Sequence, residues 1–170
     1  MTWGGEEWEV LLGIGEYHAT TRPTQVRTLL GSCISLTMHH PGRGFGAICH
    51  ASLPVSPRGQ GVDYRCVDQV IPTMLHWFAR HKIPRAELVI KLFGGGEMYG
   101  LRGEPRVLIS VGRQNLAMAR KVLREEGLSL AASDVGGPWG RSLVFHTASG
   151  QVWVRRNSSR GQVSPSPVGG

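Results

Sequence analysis

The chain has 170 residues, of which 41% are hydrophobic, and carries a formal charge of +7 at pH 7. The length suits one domain with a substantial core, and the basic charge suggests an acidic partner such as a nucleic acid, an anionic membrane surface or an acidic protein. Three irregularly spaced cysteines argue against a disulfide framework. Residues 1–9 are too acidic for a signal peptide, and no apolar run is long enough to span a bilayer. We therefore expect a cytoplasmic protein without direct membrane insertion.

The first third of the chain predicts short strands after a flexible N-terminus at residues 1–9. These strands cover residues 10–14, 34–38 and 45–50, and residues 26–30 lead up to Cys33. In the second of them Ile34, Leu36 and Met38 alternate with polar residues, which is typical of a half-buried strand. The composition of residues 39–44 favours a loop.

A cysteine and a histidine come together if the last two of these strands form an antiparallel hairpin. With Met38 opposite Phe45, Cys33 lies opposite His50, and directly opposed Cβ atoms are roughly 4.5–5.5 Å apart. A thiol beside an imidazole can become a nucleophile. The alternative is that Cys33 is a small core residue and His50 a hydrogen-bonded polar one. Cys49, on the other face of the strand, is predicted to be core.

The middle of the chain contains the strongest helix signal. Apolar residues recur at helical spacing from Val67 to Phe78, and Asp68 could cap this helix, which places Pro72 near its first turn. The preceding loop, residues 56–63, either lines the candidate site or is an ordinary surface loop. A strand at residues 88–93 runs into Gly94 and Gly95, but no phosphate-binding motif accompanies these glycines.

The last third predicts further strands around a second helix, which ends at a C-cap by Gly127. The strands cover residues 107–111, 128–132, 143–147 and 151–155, and the last two form a hairpin. Residues 157–170 are predicted to be a disordered tail, because they have almost no apolar side chains. About eight strands and two main helices indicate an α+β fold, with one domain over residues 10–156.

Five short motifs resemble those of the CheD family, the chemoreceptor glutamine deamidases of bacterial chemotaxis. They are TLLGSC at 28–33, HASLP at 50–54, KLFGGGEM at 91–98, VGRQN at 111–115, and DVGG at 134–137 followed by Arg141. The resemblance covers nearly the whole chain up to Arg156, in the family's order and spacing. It implies two packed mixed or antiparallel sheets flanked by two main helices.

The resemblance also implies a reaction, the hydrolysis of a glutamine side-chain amide on a methyl-accepting chemoreceptor. Cys33 would be the nucleophile and His50 the general acid and base, with Thr28 orienting the imidazole. Backbone N–H groups near Ser32 and Cys33 would bind the oxyanion, and the small residues Gly31 and Ser32 would let the substrate carbonyl approach them. No cofactor or metal is required by this chemistry.

Two positions depart from the family pattern. The family's threonine is six residues before the cysteine, where this chain has Arg27, whereas Thr28 is five before it. One residue along a regular strand turns a side chain to the other face, so Thr28 reaches the histidine only if the strand bulges differently. Cys66 stands where the family has an aromatic residue, while Asp68 keeps the acidic position near the site. Gly94 and Gly95 are expected to pack near the site.

Two other classes of function compete with the protein-glutamine glutaminase. A non-catalytic adaptor would bind receptors or a CheC-type phosphatase without turnover. A nucleic-acid-binding module is suggested by the charge alone, and no recognition motif supports it, so no nucleic-acid partner is expected.

Overall fold

The computed structural model of the chain describes residues 7–57, 61–97, 110–158, 161–162 and 166–169. Its strands are β1 (Trp8–Leu11), β2 (Tyr17–Thr20), β3 (Thr24–Leu30), β4 (Ile34–His40), β5 (Phe45–Cys49), β6 (Val89–Gly94), β7 (Ala132–Val135), β8 (Gly140–His146), β9 (Val152–Ser158), β10 (Gly161–Gln162) and β11 (Ser166–Val168). The helices are α1 (Val67–Arg80) and α2 (Val111–Glu125), with a 3-10 turn at Arg85–Glu87. None of the described helices has the length and apolar character needed to cross a bilayer.

The strands form two mixed sheets. The outer sheet has the order β1-β3-β8-β9-β10, with β11 also paired to β9. The central sheet has the order β2-β5-β4-β6-β7. In each sheet one edge pair is parallel, β1 with β3 and β6 with β7, and the other pairs are antiparallel. The fold is therefore α+β with two packed sheets and two main helices, as the sequence predicts.

The central sheet is the middle of three layers, and its strand β4 is buried along its whole length. Its residues Ile34, Leu36 and Met38 pack against α1 and α2 in one core cluster. The alternate residues face the outer sheet, where a second cluster surrounds Phe93 and Phe145. Two hydrophobic cores thus lie on the two faces of the central sheet.

Helix α1 buries the predicted stripe from Val67 to Phe78. Its N-cap is Cys66, however, and the carboxylate of Asp68 lies in the first turn instead of capping the helix. Asp68 accepts a hydrogen bond from the Ser56 N–H. Pro72 consequently falls inside the helix, two residues further from the N-cap than predicted.

Helix α2 begins earlier than the sequence suggests. Val111, predicted to end a strand, is its first residue, because Ser110 caps the helix by accepting from the Arg113 N–H. Residues 107–109 lie outside the described part of the chain. The helix ends as predicted at Gly127, whose φ of +68° permits a Schellman cap in which the Leu128 N–H donates to Leu123 O. Leu128 therefore belongs to the C-terminal cap of α2, and the predicted strand starts only at Ala132.

Described residues near both ends of the chain pair with strands of the outer sheet. At the N-terminus β1 already includes Trp8, while residues 1–6 are outside the described part. At the C-terminus β9 continues to Ser158, and β10 and β11 pair with it. The Lys91 ammonium group, nearly buried in the central sheet, donates to the carbonyls of Val168 and Gly169. The C-terminal residues are thus held by backbone pairing and by Lys91, neither of which depends on apolar side chains.

Candidate active site

The candidate site lies at the end of the interface between the two sheets. Thr28 points inward from β3 of the outer sheet, His50 directly follows β5, and Cys33 directly precedes β4. Cys33 is partly buried and packs against the cluster between the sheets. Thr28 therefore lies within β3 and Cys33 and His50 lie at strand ends, and the sandwich brings these three predicted residues together.

The pairing between β4 and β5 differs from the predicted register. Ile34 lies opposite Ala51, so the ladder is displaced by two residues and Cys33 falls opposite Ser52. In this register Cys33 is a diagonal neighbour of His50 on the same face, and diagonal neighbours are roughly 7–8 Å apart, with their Cβ atoms somewhat closer. The prediction of direct opposition is wrong. A displacement of two residues keeps the face, however, so both side chains still point between the sheets.

Thr28 makes the closest contact with the histidine ring. Its Oγ1 lies 2.8 Å from His50 Nδ1 and 2.8 Å from the Leu12 carbonyl oxygen. Because a carbonyl only accepts, all three atoms are satisfied when the Thr28 hydroxyl donates to Leu12 and the Nδ1–H donates to Thr28. This arrangement protonates the neutral ring at Nδ1 and leaves Nε2 with a free lone pair.

No bulge is required to bring Thr28 to the ring. Along β3 burial alternates regularly, so that Thr28 faces the interior with 2% of its surface exposed and Arg27 faces solvent. Thr28 is one residue closer to Cys33 than the family's threonine, and it nevertheless faces inward.

His50 is held as a neutral base. Burial lowers its pKa from the ordinary value, an effect that the Leu12 carbonyl and the charge of Glu16 only partly oppose. Its backbone is fixed as well, because the His50 N–H donates to Glu16 O and the Gly15 N–H donates to His50 O. Among the described residues Nε2 has no hydrogen-bond partner although it is buried. The atom is thus available to receive a proton.

Cys33 is less prepared for reaction. Burial raises the pKa of its thiol, and the residue's own N–H lowers it by a smaller amount. Since Nε2 of His50 has no partner in the described chain, the thiol does not hydrogen-bond to it here. The resting site therefore pairs a neutral thiol with a neutral imidazole, and a side-chain rotation or a bridging water is needed to connect them.

The backbone around Cys33 is held by the glycine turn after β6. Gly95 N–H donates to Cys33 O, and Gly96 N–H donates to Gly31 O. A Cβ on Gly94, which has a φ of +95°, would lie 2.3 Å from Cys33 O. The predicted proximity of Gly94 and Gly95 to the site is thus a direct backbone contact.

The N–H groups of Ser32 and Cys33 make no backbone hydrogen bond within the described part of the chain. Such free amides beside a nucleophile are what an oxyanion hole requires. Asp68, by contrast, fixes the segment after His50 through Ser56 and has no hydrogen bond to Cys33 or to the His50 ring.

Sequence reasoning assigned no role to Asn115, which is fully buried on α2. Its Nδ2 donates to the carbonyls of Ser32 and Ser52, at 3.1 Å each. The residue closes the VGRQN motif, and its place in that motif was the available signal.

The two remaining cysteines have no part in the proposed chemistry. Cys49 belongs to the helix-side core as predicted, and burial raises the pKa of its thiol to about 12. Cys66 is buried at the start of α1. Within the described residues, no group of three or more histidine, cysteine or acidic side chains could hold a metal ion.

Comparison with known proteins places these residues in a family. A family model described as CheD chemotactic sensory transduction matches residues 53–156. A protein of Geobacter sulfurreducens named "Probable chemoreceptor glutamine deamidase CheD 2" is 45% identical over 147 residues, which cover 86% of this chain and 89% of the relative. The chain belongs to the CheD family.

Other members of the CheD family match over a similar extent. Proteins named "Probable chemoreceptor glutamine deamidase CheD" from Nitratidesulfovibrio vulgaris and Pseudomonas syringae pv. syringae are each 39% identical over 149 residues. These matches cover 85% and 86% of this chain and 75% and 84% of the relatives. The motif resemblance is thereby confirmed over most of the chain.

Proposed function

We propose that this CheD family member is a protein-glutamine deamidase that converts glutamine side chains of chemoreceptors to glutamate and releases ammonia. The names of its relatives support the reaction and the substrate. The strongest structural support is the Thr28–His50 hydrogen bond, because it leaves a buried imidazole with a bare Nε2 beside the Cys33 segment.

In the first half of the reaction Cys33 is acylated. The Cys33 thiol gives its proton to Nε2 of His50, and the thiolate attacks the carbon of the glutamine carboxamide. The negative charge on the carboxamide oxygen is stabilised by the N–H groups of Ser32 and Cys33. The imidazolium then protonates the departing nitrogen, ammonia leaves, and a thioester joins the substrate to Cys33.

In the second half water hydrolyses the thioester. His50 Nε2 takes a proton from the water, which attacks the thioester carbon, and the proton passes to the Cys33 sulfur as it leaves. The product is a glutamate side chain and the thiol is restored. Thr28 keeps the ring oriented in both halves, and as a neutral hydroxyl it stabilises the imidazolium less than a carboxylate would.

Substrate binding completes the catalytic arrangement. The thiol and the imidazole are both neutral and unconnected in the resting site, so the enzyme remains unreactive until a glutamine amide enters and the Cys33 side chain turns towards His50. Such tightening in the substrate complex is common in enzymes. It also limits the reaction of the thiol with other electrophiles.

The proposed location and partners follow from the substrate. We place the protein in the cytoplasm, acting on the cytoplasmic parts of methyl-accepting receptors. A CheC-type phosphatase is a further candidate partner, on the family resemblance, and receptor binding without turnover is the alternative function.

The test is incubation of the protein with purified cytoplasmic domains of chemoreceptors. We expect ammonia release and conversion of specific glutamines to glutamates, located by mass spectrometry of receptor peptides. Cys33→Ala should abolish both, while Cys49→Ala, which removes a core thiol on the other face of the sheet, should retain them. Receptor binding with no amide loss at any enzyme concentration would contradict the proposal and favour the adaptor.

A further inference from the structure

Asn115 connects the two halves of the candidate site from outside it. The residue lies in the second turn of α2 and has no exposed surface. Its side-chain Nδ2 donates 3.1 Å hydrogen bonds to the carbonyl oxygens of Ser32 and Ser52. Ser32 directly precedes Cys33, and Ser52 is the second residue after His50.

These two hydrogen bonds lie where the strand ladder stops. The last pair between the two segments is Ile34 with Ala51, joined by two backbone hydrogen bonds. Beyond this pair Ser32 exchanges no backbone hydrogen bond with Ser52 or Leu53, whose N–H groups both donate to Arg65 O. The amide of Asn115 therefore replaces the next rung of the ladder, and it fixes the separation of the strands at the level of Cys33.

Helix α2 is itself anchored to the nucleophile segment. A Cβ on Gly112 would lie 2.5 Å from Gly96 O, so the first turn of the helix is in close contact with the glycine turn. That turn donates hydrogen bonds to the carbonyls of Gly31 and Cys33. Asn115 is thus delivered by a rigid element, which suits a residue that must fix a distance.

The chemistry of the side chain is unusual for a residue needed only for folding. Asn115 Oδ1 is buried and has no hydrogen-bond partner among the described residues. An unsatisfied buried oxygen is unfavourable. A carboxamide does, however, supply two N–H donors in one plane without bringing a charge beside the histidine.

We propose that Asn115 is a positioning residue for the deamidation reaction, setting the separation of Cys33 and His50 by bridging Ser32 and Ser52. The inference rests on the proposed function for its kinetic consequences. Its effect on the Cys33 thiol can be measured without any receptor. Loss of the bridge should let the two segments separate, and small displacements of reacting groups cost large factors in rate.

The test compares Asn115→Leu, which keeps the approximate volume without donors, with Val122→Ala, which removes packing from the same buried face of α2. On receptor domains we expect Asn115→Leu to lower kcat about 100-fold with KM changed less than about threefold. Val122→Ala should lose thermal stability and keep kcat within about twofold. Equal kcat losses at equal losses in Tm would overturn the proposal.

A second readout is the rate of Cys33 alkylation by iodoacetamide at one fixed pH, in the full-length protein alone. We expect Asn115→Leu to raise this rate several-fold and Val122→Ala to leave it unchanged, because only loss of the bridge lets the segments beside the partly buried thiol separate. A rate in Asn115→Leu equal to that of the natural protein would overturn the proposal. This readout separates the two claims, since it can succeed even if no receptor glutamine is deamidated.

Asn115→Asp covers the case in which the leucine variant does not fold. A protonated carboxyl retains one donor, so kcat should lie between those of the natural protein and Asn115→Leu and should rise relative to the natural protein as the pH is lowered. If Asn115→Asp also fails to fold, Asn115 is a folding residue and the proposal is wrong.

Discussion

The surroundings of His50 and Cys33 differ in how completely they are fixed. The His50 ring is held at Nδ1 by Thr28, and its backbone is hydrogen-bonded on both sides of the residue. The carbonyl of Cys33 is held by Gly95, yet its thiol has no hydrogen bond to the histidine. The proposed general base is therefore preorganised in this CheD family member, whereas the proposed nucleophile is fixed only in its backbone.

This difference explains how a thiol with a raised pKa could still serve as a nucleophile. Burial keeps both groups neutral at rest. A substrate that excludes water and turns the thiol towards Nε2 would allow proton transfer only in the complex. The following changes act on one side of the site or the other, in order of decreasing expected effect.

The largest effect should come from removing either reacting group. We expect Cys33→Ser and His50→Gln each to lower kcat/KM on receptor domains by about 10³-fold or more. Since the two groups act as a unit, the double variant should be no worse than the poorer single one. If the two losses in ammonia release add up in the double variant, the result would contradict proton transfer between Cys33 and His50.

Thr28→Val tests the fixed side of the comparison. The substitution preserves shape and removes the hydroxyl, so the ring loses the partner that orients it, and kcat should fall about 10- to 100-fold. Thr28→Ser keeps the hydroxyl and should stay within a few-fold of the natural protein. Equal activity of the two variants, measured by ammonia release at saturating receptor, would show that the Thr28 hydroxyl is not needed to orient the His50 ring.

Gly94→Ala tests the backbone support of the nucleophile. The added Cβ would lie 2.3 Å from Cys33 O at a φ of +95°, so the free energy of unfolding should fall by about 1–3 kcal/mol, with some loss of kcat. Gly61→Ala is the control, because none of the other described residues comes within 4 Å of a Cβ placed there, and it should change stability by less than about 0.5 kcal/mol. Urea unfolding of both variants measures the difference.

The smallest effect concerns the pH dependence of stability. Burial lowers the pKa of His18, His39 and His50 below their values in the unfolded chain. The unfolded state therefore binds protons more readily, and the free energy of unfolding should fall as the pH is lowered from about 6.5 towards 5.

Two variants divide this pH dependence between the two sides of the site. His50→Gln should flatten the slope between pH 7 and 5, as measured by urea unfolding. Cys33→Ser should leave the slope unchanged, because the raised pKa of the thiol keeps it neutral throughout that range. An identical slope in both variants would show that His50 is not buried as a neutral ring.

Local sequence patterns were sufficient to predict features that depend on a single helix or strand. The apolar stripe of α1 predicted its buried face, and Gly127 predicted the end of α2. The polar residues His39 and His40 misled the strand prediction, because His39 Nδ1 bonds Thr147 and His40 Nε2 bonds Glu87, both distant in sequence. Strand β4 therefore extends two residues further than predicted, which displaces the register at Cys33.

The candidate site was predicted in its residue identities more than in its geometry. The motifs gave Cys33, His50 and Thr28, but only the regular burial pattern of β3 removes the need for a bulge before Thr28. The contribution of Asn115 depends on α2 reaching both strand ends. The spacing of these residues along the chain does not predict that contact.

The most direct test of the central claim is a nitrogen NMR spectrum of the His50 ring in the natural protein across the pH range. The account predicts a neutral ring at pH 7 with its proton on Nδ1, a bare Nε2 and a pKa below 6.5. A ring that is charged at pH 7, or neutral with its proton on Nε2, would contradict His50 as the base that receives the Cys33 proton.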